Sequence, residues 1–330
     1  MHTHTHECIH EHLPRLASQR TPQRYVAPEK AATVEGGGMA QALRIHVSAE
    51  SLRSDPGRAC FAEGESYSAF EGGDEYTCAS ADVITAAKRA MLLEQLMPQA
   101  TSALSRLLRV QRLHGPLVLR NARCGYGGGV PVPEVHRTVG IDDADFVVYL
   151  TARPIDLGGE TIAYSGHCEQ DQHGRPIAAH FNWSPRHLPA QLPPAQRPRA
   201  QLAAHQAEAA GRWRVTRGYM GYLVRVAMHE LTHALVFSAS LLEQLSTAGG
   251  AITRVSTPSG GEAMAIRTPH VLRAARAHFG CASLEGMQLE DGGVAGTAGS
   301  HWEVRGRDRD RGRDRDRVRV RVRVRVRVRA

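Results

Sequence analysis

The sequence lacks the features of several common protein classes. No stretch reaches the roughly eighteen uninterrupted apolar residues of a transmembrane helix, and Met1 is followed by alternating histidine and threonine rather than by the apolar core of a signal peptide. None of the six cysteines forms a C-x-x-C pair, which argues against a zinc site built on cysteines. We therefore expect no membrane span, and a metal site would have to use other residues.

The net charge of +8 says little about the folded part of the chain. Residues 305–330 are Arg-Asp and then Arg-Val repeats, whose thirteen arginines and four aspartates account for the entire positive excess. Adjacent arginines on one face of a strand repel each other, so a solvated, disordered tail is predicted. Such a tail attracts nucleic acid or anionic surfaces without specificity, and no specific nucleic-acid partner is predicted.

The most informative motif is H-E-x-x-H at residues 229–233. Two histidines four positions apart lie on the same face of a helix, so both rings can bind one metal ion. Glu230 can then deprotonate a water on that metal, which is the arrangement of a zinc peptidase. The apolar flanks predict a buried helix over 222–245. The alternative is a core helix with two hydrogen-bonded histidines and an incidental glutamate.

A second stretch carries a family resemblance. Residues 290–301 read E-D-G-G-V-A-G-T-A-G-S-H, which resembles the leishmanolysin family of metzincin-type zinc peptidases, where this stretch ends in the third zinc histidine. The resemblance implies that His229, His233 and His301 hold one zinc ion (Zn2+) per chain. From the H-E-x-x-H motif alone, a carboxylate such as Glu262 remains an alternative third ligand.

The resemblance extends toward the amino terminus. Residues 124–133, 145–150 and 166–177 are similar to further segments of the family. The sequence H-E-C-I-H at 6–10 resembles the family's propeptide motif, which implies that Cys8 fills the open position of the zinc and keeps a proenzyme inactive. The alternative is a histidine-rich leader that binds metals loosely.

Three regions are predicted along the chain. They are a propeptide-like leader at 1–39, a metallopeptidase catalytic region at 40–304 with an inserted loop at 189–219, and the low-complexity tail at 305–330. The expected fold class is α+β, a metzincin-like catalytic domain with a mixed sheet and a buried active-site helix that carries the H-E-x-x-H motif.

Local patterns predict further elements. Strands are expected at 43–47, 116–119, 145–151 and 177–183, and a helix at 82–113. Cysteines close in sequence make the disulfides Cys60–Cys78 and Cys124–Cys168 plausible, although spacing alone does not fix the pairing. Asn182 begins an N-x-S sequence that could carry a glycan in a secreted protein.

Two departures from the family pattern stand out. Val236 occupies the position where the family has glycine, and because valine resists a left-handed conformation we expect the helix to run on. After Glu303 the family continues to a methionine turn beneath the zinc, whereas this sequence has no methionine after Met287. A regular two-residue repeat is what a tandem nucleotide repeat encodes, so the hypothesis is a truncated or frameshifted gene.

These observations predict a zinc-dependent metalloendopeptidase that hydrolyses peptide bonds in proteins through a zinc-bound water assisted by Glu230. The alternative is a non-catalytic or incomplete homologue that acts as a binding module. Protein or peptide substrates are the expected partners. The resemblance also implies secretion or a cell-surface location with peripheral membrane association, while the missing signal peptide leaves an intracellular location open.

Overall fold

The computed structural model describes ten segments of the chain. They are residues 40–55, 57–68, 75–113, 115–125, 129–155, 161–189, 218–249, 251–256, 262–290 and 299–302. The predicted leader, the tail and most of the predicted insertion at 189–219 lie outside these segments. At the end of that predicted insertion, Tyr219 is already the first residue of a helix.

Helices and short strands alternate along the described segments. The helices are α1 Ser51–Ser54, α2 with its consecutive parts Ala86–Met91, Leu92–Leu96 (π-type) and Met97–Leu107, α3 Glu134–Thr138, α4 Tyr219–Leu235, α5 Ala239–Gly249 and α6 Pro269–Phe279, with 3-10 turns at Ser80–Asp82 and Pro185–His187. The strands are β1 Gln41–Ala42, β2 Ile45–Ser48, β3 Ser66–Ser68, β4 Glu75–Thr77, β5 Arg109–Val110, β6 Arg123–Cys124, β7 Val130–Pro131, β8 Phe146–Thr151, β9 Ala163–Gln170, β10 Pro176–Trp183, β11 Ile252–Ser256, β12 Glu262–Ile266 and β13 Met287–Gln288.

A four-stranded mixed sheet in the order β2-β8-β10-β9 forms the centre of the fold. Strands β2, β8 and β10 are parallel to one another, and β9 runs antiparallel to β10. Every residue of β8 and β10 is buried, as expected for central strands covered on both faces. The predicted α+β class and the predicted strands at 145–151 and 177–183 are confirmed.

Each side of this sheet packs against a different hydrophobic core, because successive side chains of a strand point in opposite directions. Phe146 and Phe181 belong to the larger core, which includes Leu223 and Ala227 of α4 together with residues of α2. Residues of the opposite face pack against the 117–141 region, and they include Val147, Tyr149 and Ala178. Helix α4 is therefore held against one face of the sheet.

Two disulfides connect the segments around the sheet. Cys60 bonds to Cys78, and Cys124 bonds to Cys168. The second bridge joins β6 to β9 across a sequence separation of 44 residues. Both pairings agree with the expectation from sequence proximity. Cys281 is a free thiol among the described residues.

The predicted helix at 82–113 is shorter in the structure. It begins at Ala86, because the Thr85 hydroxyl accepts a hydrogen bond from the Lys88 amide (3.2 Å) and caps the first turn. It ends at Leu107, and the chain then pairs with β1 as a two-residue strand. The strand predicted at 116–119 is also wrong, since only Leu117 forms a bridge, to Ile141.

The glycosylation hypothesis for Asn182 is wrong as well. The side chain is fully buried in β10. Its Oδ1 accepts hydrogen bonds from the Thr151 hydroxyl (2.7 Å) and the Arg153 amide (2.9 Å), and its Nδ2 donates to the Arg153 carbonyl (3.0 Å). An amide engaged in this way leaves no room for a sugar.

No described helix is long and apolar enough to cross a membrane.

Candidate metal centre

Helix α4 carries the H-E-x-x-H motif and ends shortly after it. The single helix predicted over 222–245 is two helices, because α4 stops at Leu235 and α5 starts at Ala239. Val236 has φ −156° and ψ −27°, so the chain leaves the helix without a left-handed residue. The expectation that Val236 lets the helix run on is therefore wrong. Both Val236 and Phe237 donate their amides to the Thr232 carbonyl at 2.9 Å.

The turn after α4 orients one histidine of the motif. The Phe237 carbonyl lies 2.6 Å from Nδ1 of His233, and a carbonyl can only accept, so Nδ1 carries the proton. Nε2 of the same ring is then left with its lone pair, as a metal ligand requires. Val236 thus takes part in a backbone turn that fixes the tautomer of His233.

His301 is brought to the helix by a short antiparallel pairing. Leu289 bridges Trp302, and the Glu290 amide donates to the His301 carbonyl at 2.9 Å. The Trp302 ring packs on Phe237 with ring centres 4.7 Å apart. The residue after His301 therefore contacts the same turn that orients His233.

Three imidazole nitrogens converge in this arrangement. Nε2 of His229 lies 3.0 Å from Nε2 of His233 and 3.3 Å from Nε2 of His301. Their ligand atoms all lie within 4.8 Å of one another, and His233 is the buried member of the group. Tetrahedral zinc with Zn–N distances of about 2.0–2.1 Å places its ligands about 3.3 Å apart. The donor set therefore suits zinc in both chemistry and spacing.

Glu230 is buried beside these histidines. The residue is 4% exposed, and its Oε2 has no hydrogen-bond partner among the described residues. Burial raises the pKa of the Glu230 carboxyl to about 8, because desolvation disfavours the charged form. A cation close by would favour the charged form again. Glu230 thus offers an acid–base group that is not committed to an ion pair.

The alternative third ligand is not part of this cluster. Glu262 lies on β12 and pairs with Arg254 at 3.1 Å, with both side chains exposed. Among the described residues, the histidines at 229, 233 and 301 are the group able to hold a metal ion. Cys8 lies outside the described residues.

Comparison with known proteins places the chain in a family. A profile of the peptidase family described as leishmanolysin matches residues 6–211 and 207–311. The chain belongs to the leishmanolysin family.

The leishmanolysin homolog of Crithidia fasciculata is 28% identical over 92% of this chain and 46% of its own length. Leishmanolysin of Leishmania major is 30% identical over 80% of this chain and 38% of its own length. A leishmanolysin-like peptidase of Drosophila melanogaster is 29% identical over 50% of this chain and 26% of its own length. The chain therefore spans less than half the length of these relatives.

In this leishmanolysin-family chain, a further carboxylate contacts the third histidine. Glu290 Oε2 lies 3.4 Å from Nδ1 of His301, and the Ser300 hydroxyl lies 3.3 Å from the same nitrogen. Because Nε2 of His301 faces His229, Nδ1 is the nitrogen turned away from the other histidines. Sequence reasoning missed Glu290 and Phe237: Glu290 stands in the resembling stretch without a marked role, and a backbone carbonyl leaves no signal in a sequence.

We expect Glu290→Ala to weaken zinc binding by about 10- to 100-fold, because a carboxylate behind a metal-binding histidine fixes its orientation and raises its basicity. Competition with a chelator of known affinity measures the change. Glu290→Gln keeps an oxygen acceptor and should give a smaller loss. The exposed Glu285→Ala is the control and should bind zinc like the parent. An unchanged affinity in Glu290→Ala would remove this role.

Proposed function

We propose that the chain is a zinc-dependent metalloendopeptidase with a metzincin-like catalytic domain. One observation carries this proposal: three histidine Nε2 atoms, two from α4 and one from the 299–302 segment, lie together beside a buried glutamate. Membership of a peptidase family supports the same activity. Proteins or peptides would be the substrates.

His229, His233 and His301 would hold the zinc through neutral rings. The Phe237 carbonyl already selects the required tautomer of His233. When bound, zinc acts as a Lewis acid that makes water a better nucleophile and polarises a carbonyl. Three protein ligands leave one position open for chemistry, as catalytic zinc sites do.

Glu230 would move the proton in the reaction. Its carboxylate accepts a proton from the attacking water while the water oxygen bonds to the scissile carbonyl carbon. When the C–N bond breaks, the same proton passes from Glu230 to the leaving amine nitrogen. The glutamate returns to its starting charge, so one group serves as base and then as acid.

The function is tested by cleavage of an unfolded protein substrate by the zinc-loaded chain, with Glu230→Gln as its matched control. Substrate cleavage that requires Glu230 would support the proposal. A chain that binds zinc yet never cleaves would favour the alternative, a non-catalytic binding module.

We also propose that Cys8 closes the metal site in the unprocessed chain, since a thiolate is a strong fourth zinc ligand. Cys8→Ser should then raise peptidase activity before processing by at least about 10-fold, because serine is a poor zinc ligand. Activity of the unprocessed parent and variant, at equal zinc content, measures this. The free thiol variant Cys281→Ser is the control, and equal activity of Cys8→Ser and parent would contradict the switch.

The two disulfides support a location in an oxidising compartment, since disulfides persist in secreted and surface proteins and are rare in the cytosol. We therefore propose secretion or the cell surface for this chain. Peripheral membrane association and the three-region division at residues 39 and 304 stay predictions from the resemblance.

A further inference from the structure

The face of the central sheet opposite to α4 holds a group of buried basic side chains. Leu150 and Phe181 pack in the core that contains α4, so Thr151 and His180, their neighbours along β8 and β10, point to the other face. Arg153 lies on this face two residues after Thr151. Arg58 is its neighbour, because residues 59 and 152 form a parallel bridge.

Within the described segments, the guanidinium of Arg153 is buried without a hydrogen-bond partner. The residue is 3% exposed, and its backbone is fixed on both sides by the Asn182 side chain (2.9 and 3.0 Å). Both Nη1 and Nη2 are buried and make no hydrogen bond. Arginine remains charged inside proteins, so Arg153 is a buried cation whose desolvation nothing in the described segments offsets.

Arg58 adds a second positive charge to the same place. Its side chain is 14% exposed, and its Nε makes no hydrogen bond. Asp55 lies 4.0 Å from that Nε, but this aspartate is 39% exposed. Burial, and next the charge of Arg153, lower the pKa of Arg58. In the part of the chain that the structure describes, the Arg58 guanidinium thus has one distant carboxylate, and its Nη1 donates to the Gly57 carbonyl (3.0 Å).

His180 is an uncharged side chain next to Arg153 and Arg58. Thr151 donates its hydroxyl proton to Asn182 (2.7 Å), so it accepts from Nε2–H of His180 (2.7 Å), and Nδ1 of the ring is unprotonated. Burial, and next the charges of Arg153 and Arg58, hold the pKa of His180 well below its usual value. A Cβ on Gly125 would come within 2.5 Å of the ring, so the backbone closes over it.

We propose that Arg153 and Arg58 form a buried oxyanion-binding site. Carboxylate, sulfate and phosphate groups present paired oxygens that match the planar donors of a guanidinium. Binding one of them would supply the acceptors that Arg153 Nη1, Arg153 Nη2 and Arg58 Nε lack. The oxyanion is either a free anion or an acidic side chain of a polypeptide, which offers the same chemistry.

This site is separate from the metal centre and does not depend on the proposed peptidase activity. Its existence is tested by the melting temperature of the purified chain during a titration with sodium sulfate up to about 20 mM, with sodium chloride at equal ionic strength as reference. Equal ionic strength gives equal screening, and low millimolar sulfate avoids its general stabilising effect at high concentration.

A free oxyanion should raise the melting temperature of the parent in a saturable way, by about 5 °C. Arg153→Met should lose this response. Arg175→Met is the matched control, because Arg175 is a partly buried arginine that already pairs with Asp171 at 2.9 Å, and it should keep the response. If a polypeptide carboxylate already fills the site, sulfate has no effect on the parent and Arg153→Met melts about 10 °C lower in both salts, since an acid is left unpaired.

One result would overturn the proposal: no sulfate response in the parent, together with Arg153→Met melting as high as the parent or higher. Methionine in place of an uncompensated buried charge stabilises a protein. The sign of the change in melting temperature therefore distinguishes an Arg153 that has no bound anion from one that has. If Arg153→Met fails to fold, Arg153→Lys keeps the charge without the planar donors, and its apparent sulfate affinity should fall about 10-fold or more.

Discussion

Glu230→Gln should lower the rate of peptide hydrolysis by at least about 100-fold, because general acid–base groups contribute roughly 100- to 10,000-fold to such reactions. Glutamine has the shape of glutamate but cannot take a proton from the attacking water. The zinc content should stay near one ion per chain, since Glu230 is not among the three converging ligands. The measurements are kcat on an unfolded protein substrate and zinc per chain on the same preparation.

The zinc content controls for folding, because a misfolded variant would lose the metal with the activity. Undiminished kcat in Glu230→Gln would remove Glu230 from the mechanism. Loss of zinc together with activity would instead show that the substitution disrupts the folded site and not only the proton transfer. Parent protein that binds zinc and shows no hydrolysis would contradict the peptidase function itself.

His301→Ala should reduce bound zinc from about one ion per chain to nearly none. Two histidines on α4 remain in this variant, but catalytic zinc sites use three protein ligands, and two leave the metal weakly held. Metal analysis after exhaustive dialysis against buffer with a weak chelator measures the loss. The result would show that a residue 68 positions beyond His233 completes the site.

His278→Ala is the matched control, because this histidine lies exposed on α6 away from the cluster. It should keep its zinc. Full zinc in His301→Ala would contradict the three-histidine site, and the same assay on Glu262→Ala would then test the carboxylate alternative. No zinc in the parent would mean that this chain is an inactive relative of the peptidases it resembles.

Elements with strong local patterns could be predicted from the sequence. β8 is a run of apolar, aromatic and β-branched residues, whereas β10 is mostly apolar but contains His180 and Asn182; both are buried over their whole length. Helix α4 follows from an apolar stretch without helix breakers around the motif. Strand β9 was not predicted as a strand, because its sequence A-Y-S-G-H-C-E-Q has neither an apolar run nor a clean alternation.

Elements that depend on distant contacts could not be predicted in this way. The break after Leu235 brings Phe237 against Trp302, 65 positions further along the chain, and no local pattern encodes that contact. The prediction that His301 is the third metal ligand rests on a family resemblance and not on residue spacing. Arg153 gave no signal either, because a buried and unpaired charge shows only once the surrounding chain is in place.

The turn at Val236 also bears on how such proteins are found. A search pattern that requires glycine three residues after the second histidine would reject this chain. Yet the backbone leaves α4 at Val236 with φ −156° and ψ −27°, so the turn needs no left-handed residue, and the Phe237 carbonyl still reaches His233. Chains with valine or other residues at this position should therefore be counted as candidates when sequence collections are screened for zinc peptidases.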